Sequence, residues 1–185
     1  MNEYIQTAQD HMEKTLVAIQ RDFNKLRTGR ASAAVLEGIT VDYYGTATPI
    51  TQVAAIKTPE AHMLTIEPWD KSLVNAVEHA IMASDLGITP NNDGSGVIRL
   101  NFPAPTEERR RDIVKECKNV AEHGRVAVRN ARQEAKKKME RAEKDGELTE
   151  DDLKRAEDEL QKLTDKYVAK VGDMFAEKEK EVMAI

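Results

Sequence analysis

The 185-residue sequence is poor in the residues from which many functional sites are built. It has one cysteine, Cys117, which excludes an internal disulfide and a metal site made from thiolates of this chain alone. Aromatic residues make up only 4% of the chain, so pockets lined by aromatic side chains are scarce. No apolar run approaches the roughly 18–20 residues that cross a bilayer, and the N-terminal residues lack the basic and then apolar pattern of an export signal. We therefore expect a cytoplasmic protein.

The sequence also lacks the residue patterns of a catalytic centre. Its four histidines are scattered without the spacing of metal ligands: His11, His62, His79 and His123. Cys117 falls on the apolar face of a predicted helix with no histidine at helical spacing, which favours a buried thiol over a nucleophile. Neither a pair of carboxylates nor an activated serine can be argued from the sequence. We expect a binding protein that is not an enzyme and needs no metal or cofactor.

Charged residues, by contrast, make up 33% of the chain and are unevenly distributed. The net charge is −5, yet residues 109–141 hold 12 Lys and Arg against 5 Asp and Glu, a local charge of +7. Residues 143–181 hold 8 Lys and Arg against 14 Asp and Glu, a local charge of −6. Because a polyanion responds to local charge, the basic segment keeps nucleic acid among the expected partners.

Three segments have the apolar periodicity of long helices. The first runs from about Asn2 to Thr28, the second begins after the N-cap residue Thr106 and continues to about Lys144, and the third begins after Thr149. Their apolar faces are Ile5, Met12, Ile19 and Leu26; Ile113, Cys117, Val120, Gly124, Ala127, Ala131 and Ala135; and Leu153, Leu160, Tyr167 and Met174. Since only a short turn separates the last two helices, they should be antiparallel, and we predict an antiparallel three-helix bundle.

Between the first two helices the sequence changes character. Short β-rich runs separated by Gly, Pro and Asn predict strands near residues 39–44, 53–56, 63–66 and 97–102. Asp70 predicts the N-cap of one helix that ends near Gly87, and we expect Trp69 to pack against its own module.

These elements predict a two-domain α+β fold. The helix bundle occupies residues 1–29 and 106–185 and is interrupted by a small α+β domain at residues 31–104. The short linkers near residues 29–33 and 102–105 are rich in small residues or proline, which predicts hinges between the domains.

The most distinctive pattern is a row of basic residues along the second helix, here called the basic stripe: Arg111, Lys115, Lys118, Arg125, Arg129, Arg132 and Lys136. Spacings of three, four and seven residues put them on one face, with Glu122 in the gap, centred about 150° from the predicted apolar face. Such a row suits a phosphate backbone, and arginine suits RNA. The alternative, a solvated face held by intrahelical ion pairs, stays open.

Short motifs of a known type follow one another along nearly the whole chain. They are Leu26-Arg27-Thr28-Gly29-Arg30-Ala31-Ser32, Val41-Asp42-Tyr43-Tyr44-Gly45 with Pro49, Ser84-Asp85-Leu86-Gly87 with Pro90, Ile98-Arg99 with Pro103, Thr106-Glu107-Glu108-Arg109-Arg110, and Val128-Arg129-Asn130-Ala131-Arg132. Together they resemble the signatures of the ribosome recycling factors of bacteria and organelles. The sequence departs from that pattern at Gln133, where many members carry a second arginine.

The resemblance implies an L-shaped molecule, in which a long three-helix bundle bears a hinged smaller domain. It also implies a factor that binds the post-termination ribosome between the subunits, with the bundle on large-subunit ribosomal RNA. Elongation factor G and GTP hydrolysis then dissociate the complex from mRNA and drive the subunits apart, while the factor itself hydrolyses nothing.

The resemblance also assigns roles to individual residues. Arg129 and Arg132 match the motif positions of RNA contacts, and both belong to the basic stripe. Arg125, from the stripe, and Arg110, from the Thr106 motif, complete the predicted RNA-binding set. The hinge signature and the second linker supply the predicted hinge residues: Arg27, Gly29, Arg30, Pro103 and Pro105.

A coiled-coil scaffold protein with a polyanion-binding helix is the alternative reading. In such a protein the apolar faces would pair with other chains. Oligomeric state therefore separates the two hypotheses, because a recycling factor is expected to be a monomer.

Overall fold

The computed structural model describes residues 3–184, and within them the chain forms four α-helices and six β-strands. The helices are α1 (Glu3–Lys25), α2 (Val74–Met82), α3 (Glu107–Lys144) and α4 (Glu150–Met183). The strands are β1 (Thr40–Tyr43), β2 (Thr46–Pro49), β3 (Ala54–Glu60), β4 (Met63–Pro68), β5 (Asn91–Asn92) and β6 (Ile98–Asn101). The chain divides into a helical unit, which runs through Leu26 and resumes over Glu107–Ala184, and a small unit at Arg27–Thr106. The predicted α+β fold class, a helix bundle interrupted by a small α+β module, is confirmed.

The helical unit consists of α1, α3 and α4 packed around one apolar core. The core residues of α1 include three of those predicted from the seven-residue spacing, Ile5, Met12 and Ile19, all of which are buried. A capping box begins α4: the Asp152 amide donates to Thr149 Oγ1 over 3.1 Å, and the Thr149 amide donates to Asp152 Oδ2 over 3.4 Å. Local capping and apolar spacing therefore account for the start of this helix and the packing of the bundle.

Helix α1 ends three residues earlier than predicted, at Lys25. The last turn closes with the Leu26 amide donating to the Phe23 carbonyl over 3.2 Å. Gly29 has the left-handed conformation (φ 77°) expected of a helix-terminating glycine, but it lies beyond the end of the helix. The predicted start of the helix at Asn2 lies outside the described residues.

The buried face of α3 differs from the predicted one. Val120 and Ala127 are only half-buried, whereas Ala121, Val128 and Met139 are buried and Ala142 extends the same face. Small residues occupy adjacent positions along this helix, so apolar spacing alone does not distinguish the two faces. At about 100° per residue, the observed buried face is centred roughly 110° from the basic stripe, where the sequence predicted about 150°.

One polar contact links α1 and α4 at the edge of the core. Tyr167 is buried, and its hydroxyl donates a hydrogen bond of 2.9 Å to Glu13 Oε1. This hydrogen bond lowers the pKa of Glu13 below its ordinary value, with a second contribution from the Gln9 amide. The Glu13 carboxylate therefore stabilises the folded bundle in its charged form.

Replacing Tyr167 by phenylalanine is expected to flatten the acid limb of the stability profile. A carboxyl whose pKa is lowered on folding stabilises the protein above its unfolded pKa, and that contribution disappears as the pH falls through the folded pKa. Without the hydroxyl, the Glu13 pKa returns toward its ordinary value. Urea unfolding midpoints measured from pH 7 down to pH 3 should therefore differ most between wild type and Tyr167→Phe near neutrality and converge in acid. Glu13→Gln, which cannot titrate, should flatten the profile in the same way, and a difference independent of pH would contradict the account.

The small unit contains a hairpin, a four-stranded sheet and one helix. Strands β1 and β2 form an antiparallel hairpin, and the second sheet has the antiparallel order β3-β4-β6-β5. Their apolar side chains share one core with α2: Val41, Leu64, Ile66, Val77, Ile81, Ile98 and Leu100. The sequence did not predict the short strands β2 and β5. Helix α2 is shorter than expected, because it follows a 3₁₀ turn at Lys71–Leu73 and ends at Met82.

The N-cap prediction at Asp70 is confirmed, whereas the packing predicted for Trp69 is wrong. Asp70 Oδ1 accepts a 3.0 Å hydrogen bond from the Ser72 amide and so caps the 3₁₀ turn. Trp69 is 68% exposed. Its backbone amide is tied to the Val53 carbonyl (3.2 Å), which holds the main chain in place while the indole remains outside the core.

Candidate nucleic-acid interface

The basic stripe occupies one side of α3, and its members fall into two groups. Arg111, Lys115, Lys118 and Arg129 are exposed, whereas Arg125, Arg132 and Lys136 are half-buried. The second group lies on the side of the stripe that faces α4, which follows from the rotated buried face of α3. The basic stripe therefore covers the shoulder between α3 and α4 together with the outer surface of α3.

Arg125 lies close against α4. Its side chain is 20% exposed and forms an ion pair with Glu122 one turn earlier. On α4, a Cβ atom at Gly172 would lie 3.9 Å from Arg125 Nη2, so the glycine leaves space beside the guanidinium. The surrounding helices thus restrict the orientation of this arginine.

Arg132 is held by a residue of α4 that the sequence analysis did not identify. Its Nη1 donates to Gln161 Oε1 over 2.8 Å, and Gln161 Nε2 in turn donates to Asp165 Oδ1 over 2.8 Å. Arg132 Nε is buried and has no hydrogen-bond partner among residues 3–184. An unpaired buried donor lowers the stability of the fold. Hydrogen bonds within the protein therefore do not by themselves account for an arginine at position 132. Gln161 was missed because contacts between helices have no signal in the spacing along α3.

The alternative reading of the stripe, neutralisation by intrahelical pairs, applies to some of its members. Arg111 pairs with Glu107, Arg125 with Glu122, and Lys136 with Glu140. Lys136 also reaches Glu157 on α4, with Nζ 3.3 Å from Oε1. Three stripe residues form no ion pair with any residue in 3–184: Lys115, Lys118 and Arg129. These three cationic side chains therefore stay available for a polyanion.

The structure separates Arg110 from this group. Its side chain is half-buried near the other end of the bundle, where Nη1 lies 3.4 Å from the Met183 carbonyl oxygen of α4 and donates to it. Nineteen residues of helix place it about 28 Å along the axis from Arg129. Arg110 remains a predicted RNA contact, distinct from the Arg125, Arg129 and Arg132 group.

The two linkers of the small unit join the same turn. The Ala31 amide donates to the Ala61 carbonyl over 2.8 Å, and the Phe102 amide donates to the His62 carbonyl over 2.7 Å. These bonds fix both linkers on the turn between β3 and β4. The predicted hinge residues lie just outside these two hydrogen bonds in the sequence. Arg27, Gly29 and Arg30 precede Ala31, and Pro103 and Pro105 follow Phe102.

Gly29 brings the two linkers together. It is left-handed, and a Cβ atom at this position would lie 3.2 Å from Pro105 Cδ and 3.8 Å from the Pro103 carbonyl oxygen. Glycine thus serves both the backbone conformation and the close approach of the second linker.

Comparison with known proteins identifies the family to which this arrangement belongs. The family model described as "Ribosome recycling factor" matches residues 19–183, which include α3, α4 and the whole small unit. The chain belongs to the ribosome recycling factor family.

Relatives within the family align over their full length. The ribosome-recycling factor of Nitratidesulfovibrio vulgaris (strain DP4) is 49% identical over 185 residues, covering 100% of this chain and 99% of the relative. That of Geobacillus thermodenitrificans (strain NG80-2) is 52% identical over 183 residues, covering 99% and 98%. These alignments therefore span both the helical unit and the small unit.

Solved structures of recycling factors share the fold. A solution structure of the ribosome recycling factor superimposes with a TM-score of 0.72 at 40% identity, covering 99% of this chain and 97% of that one. The T. thermophilus factor, described together with E. coli elongation factor G bound to the E. coli post-termination complex, gives a TM-score of 0.61 at 41% identity and 97% coverage of both chains.

Within residues 3–184 no three His, Cys, Asp or Glu side chains are grouped so that they could hold a metal ion. No helix in the same range is both long and apolar enough to span a membrane. Cys117 is buried in the helical core, as predicted, and burial raises the pKa of its thiol, which disfavours the reactive thiolate.

Replacing Gly29 by alanine is expected to lower stability more than the same change at Gly38. Both glycines are left-handed, with φ of 77° and 83°, but a Cβ at Gly38 meets nothing within 4 Å. Gly38→Ala should therefore cost only the backbone strain, about 1–2 kcal/mol. Gly29→Ala should cost that amount and also displace Pro105. Thermal unfolding of the two variants measures the difference, and equal midpoints would show that the approach of Pro105 contributes nothing.

Proposed function

We propose that the chain is a translation factor that binds the post-termination ribosome and, with elongation factor G and GTP, dissociates it from mRNA and recycles the subunits. The observation that carries this proposal is the family match over residues 19–183, joined to full-length relatives at about half identity. The T. thermophilus factor described with elongation factor G on the post-termination complex supports the choice of partners.

The basic stripe is the proposed contact with large-subunit ribosomal RNA in the intersubunit space. Arg129 is exposed, and Arg125 and Arg132 flank it in the sequence, with side chains that lie beside Gly172 and Gln161 of α4. Guanidinium groups fixed in this way can form charge-assisted hydrogen bonds to phosphates with little loss of side-chain freedom. Arg110 would form a separate contact toward the other end of the bundle.

The helical unit would act as a rigid body and the linkers as its hinge. Three long helices with one continuous core can hold the ribosome while the small unit rotates about Gly29 and the adjacent Arg27, Arg30, Pro103 and Pro105. Elongation factor G would supply the force through its own GTP hydrolysis. The chain itself would catalyse no reaction and would need no metal or cofactor.

The scaffold alternative is disfavoured by the packing of the helices. Their apolar faces contact one another within one chain and form a single core. A coiled-coil scaffold needs such faces for other chains. We therefore propose a monomer that acts in the cytoplasm.

The function is tested by following subunit separation of purified post-termination complexes by light scattering. Rapid loss of scattering is expected only when the chain, elongation factor G and GTP are all present. Reactions that omit each component in turn, or replace GTP with a non-hydrolysable analogue, are the controls. Intact ribosomes in the complete reaction would contradict the proposal.

A further inference from the structure

The small unit carries a group of exposed aromatic side chains, here called the aromatic patch: Tyr43, Tyr44 and Trp69. They account for three of the eight aromatic residues in the chain. Tyr44 is 82% exposed, Trp69 68% and Tyr43 39%. Aromatic rings are scarce in this sequence, so the exposure of these three needs an explanation other than core packing.

Two distant segments form the aromatic patch. The rings of Tyr43 and Tyr44 meet edge to face, with centroids 4.7 Å apart and an interplanar angle of 76°. The Tyr44 hydroxyl donates to Asp70 Oδ2 over 3.3 Å, which brings it to the residue that follows Trp69. Asp70 is itself held, because its other oxygen caps the 3₁₀ turn. The patch is therefore organised before any partner arrives.

The backbone at Tyr44 is unfavourable for tyrosine. Tyr43 pairs with Thr46, so Tyr44 and Gly45 form a two-residue hairpin loop in which both have positive φ, 50° and 83°. Asparagine and glycine suit this loop, whereas a bulky side chain is strained there. Within residues 3–184 Tyr44 is the only non-glycine residue with positive φ. Neither the turn nor the core benefits from a tyrosine at this position.

The charge around the patch indicates what kind of partner it fits. Residues 31–104 contain 3 Lys and Arg against 8 Asp and Glu, a net charge of −5, in contrast to the basic stripe on α3. Asp42 and Asp70 lie directly beside the aromatic rings in the chain, and both carboxylates accept hydrogen bonds from the patch segments. Lys71 follows Asp70, so the segments beside the rings hold two carboxylates against one ammonium group. A net acidic surround repels phosphate and attracts lysine and arginine.

We infer that the aromatic patch is a docking surface for a protein that presents an apolar recess bordered by lysine or arginine side chains. Tyrosine and tryptophan are the residue types that anchor protein interfaces, because they combine large apolar area with few rotatable bonds. The inference rests on the proposed function in one respect: the partner is met on the post-termination ribosome, during the step that needs elongation factor G.

Tyr44→Asn separates a binding role from a structural one. Asparagine relieves the left-handed strain, so the variant should unfold at the same temperature as wild type or higher. It should sediment with vacant ribosomes as wild type does, because the basic stripe is unchanged. Subunit separation with elongation factor G and GTP should be at least tenfold slower at limiting factor concentration. Trp69→Gln should give the same functional loss by an independent change.

Met82→Gln is the matched control, because Met82 is a 60% exposed apolar residue on α2 of the same unit, outside the patch. It should separate subunits at the wild-type rate. Wild-type rates in both Tyr44→Asn and Trp69→Gln would overturn the inference, as would a clear loss of thermal stability in Tyr44→Asn. If wild-type protein neither binds nor separates ribosomes, the proposed function fails. If wild-type protein separates ribosomes and both patch variants do so at the same rate, this inference alone fails.

Photocrosslinking identifies the class of partner. Benzoylphenylalanine in place of Tyr44, irradiated in purified post-termination complexes with elongation factor G and GTP, should form adducts with a protein. Adducts with ribosomal RNA alone, or none above the level given by the same group at Met82, would overturn the inference.

Discussion

Replacing Arg129 and Arg132 together by alanine is expected to weaken binding to vacant ribosomes roughly 100-fold at low salt. A net contribution of roughly 1.5 kcal/mol for each charge-assisted hydrogen bond gives about 3 kcal/mol for the pair. The logarithmic salt dependence of binding should also become shallower by roughly 1.5 for two lost phosphate contacts. Co-sedimentation across a salt series measures both quantities.

The matched control removes the same charge from another face of α3. Lys137 and Lys138 are exposed neighbours of the basic stripe in sequence but point away from it, at angles about 90° or more from its centre. Their double alanine variant should lose no more than about threefold in affinity at low salt, as expected for long-range attraction alone. Equal losses in the two double variants would mean that only net charge matters. Arg132→Ala removes the hydrogen bond from Arg132 Nη1 to Gln161, so unfolding temperatures are measured for both double variants, and binding is compared at a temperature where both are folded.

The second large effect concerns Gly124, where α1 and α3 approach each other. A Cβ atom there would lie 2.9 Å from Ile19 Cγ1 and nearer still to Cδ1. Contacts this short place the overpacking cost at about 2–3 kcal/mol, and alanine gains roughly 1 kcal/mol over glycine in a helix. Gly124→Ala is therefore expected to destabilise the wild-type bundle by about 1–2 kcal/mol.

The sign should reverse when Ile19 is first shortened. Ile19→Ala alone should cost about 2–5 kcal/mol, because it leaves a cavity in the core. In that background Gly124→Ala should stabilise the bundle by about 1 kcal/mol, which gives a coupling of about 2–3 kcal/mol between the positions. Urea unfolding of the four proteins in this cycle measures the coupling. Additive effects would contradict the proposed contact.

Elements with strong local signals could be predicted from the sequence. Thr149 and Asp70 were identified as caps because capping depends on side-chain oxygens and on amides only two or three residues away. The long helices were identified because their apolar spacing continues over many turns. The short strands β2 and β5 have no comparable signal, since two to four residues cannot show an alternation.

Features that depend on packing between elements could not be predicted in the same way. Alanines on several sides of α3 left its buried face ambiguous, and the observed rotation brings Arg132 toward Gln161 on α4. Trp69 was expected to pack against its own module, yet the core of the small unit is filled by aliphatic side chains and the indole is exposed. The Tyr44 conformation depends on hairpin register, which the sequence analysis did not derive.

The most direct test of the account is a photocrosslink from the basic stripe itself. A benzophenone side chain in place of Lys118, an exposed stripe residue outside the set of four predicted RNA-binding arginines, can be irradiated in purified post-termination complexes. The same group in place of Glu179, exposed on α4, serves as the comparison. The account predicts adducts from position 118 that map to large-subunit ribosomal RNA and exceed those from position 179. Adducts confined to ribosomal proteins or to the small subunit, or equal yields from both positions, would contradict it.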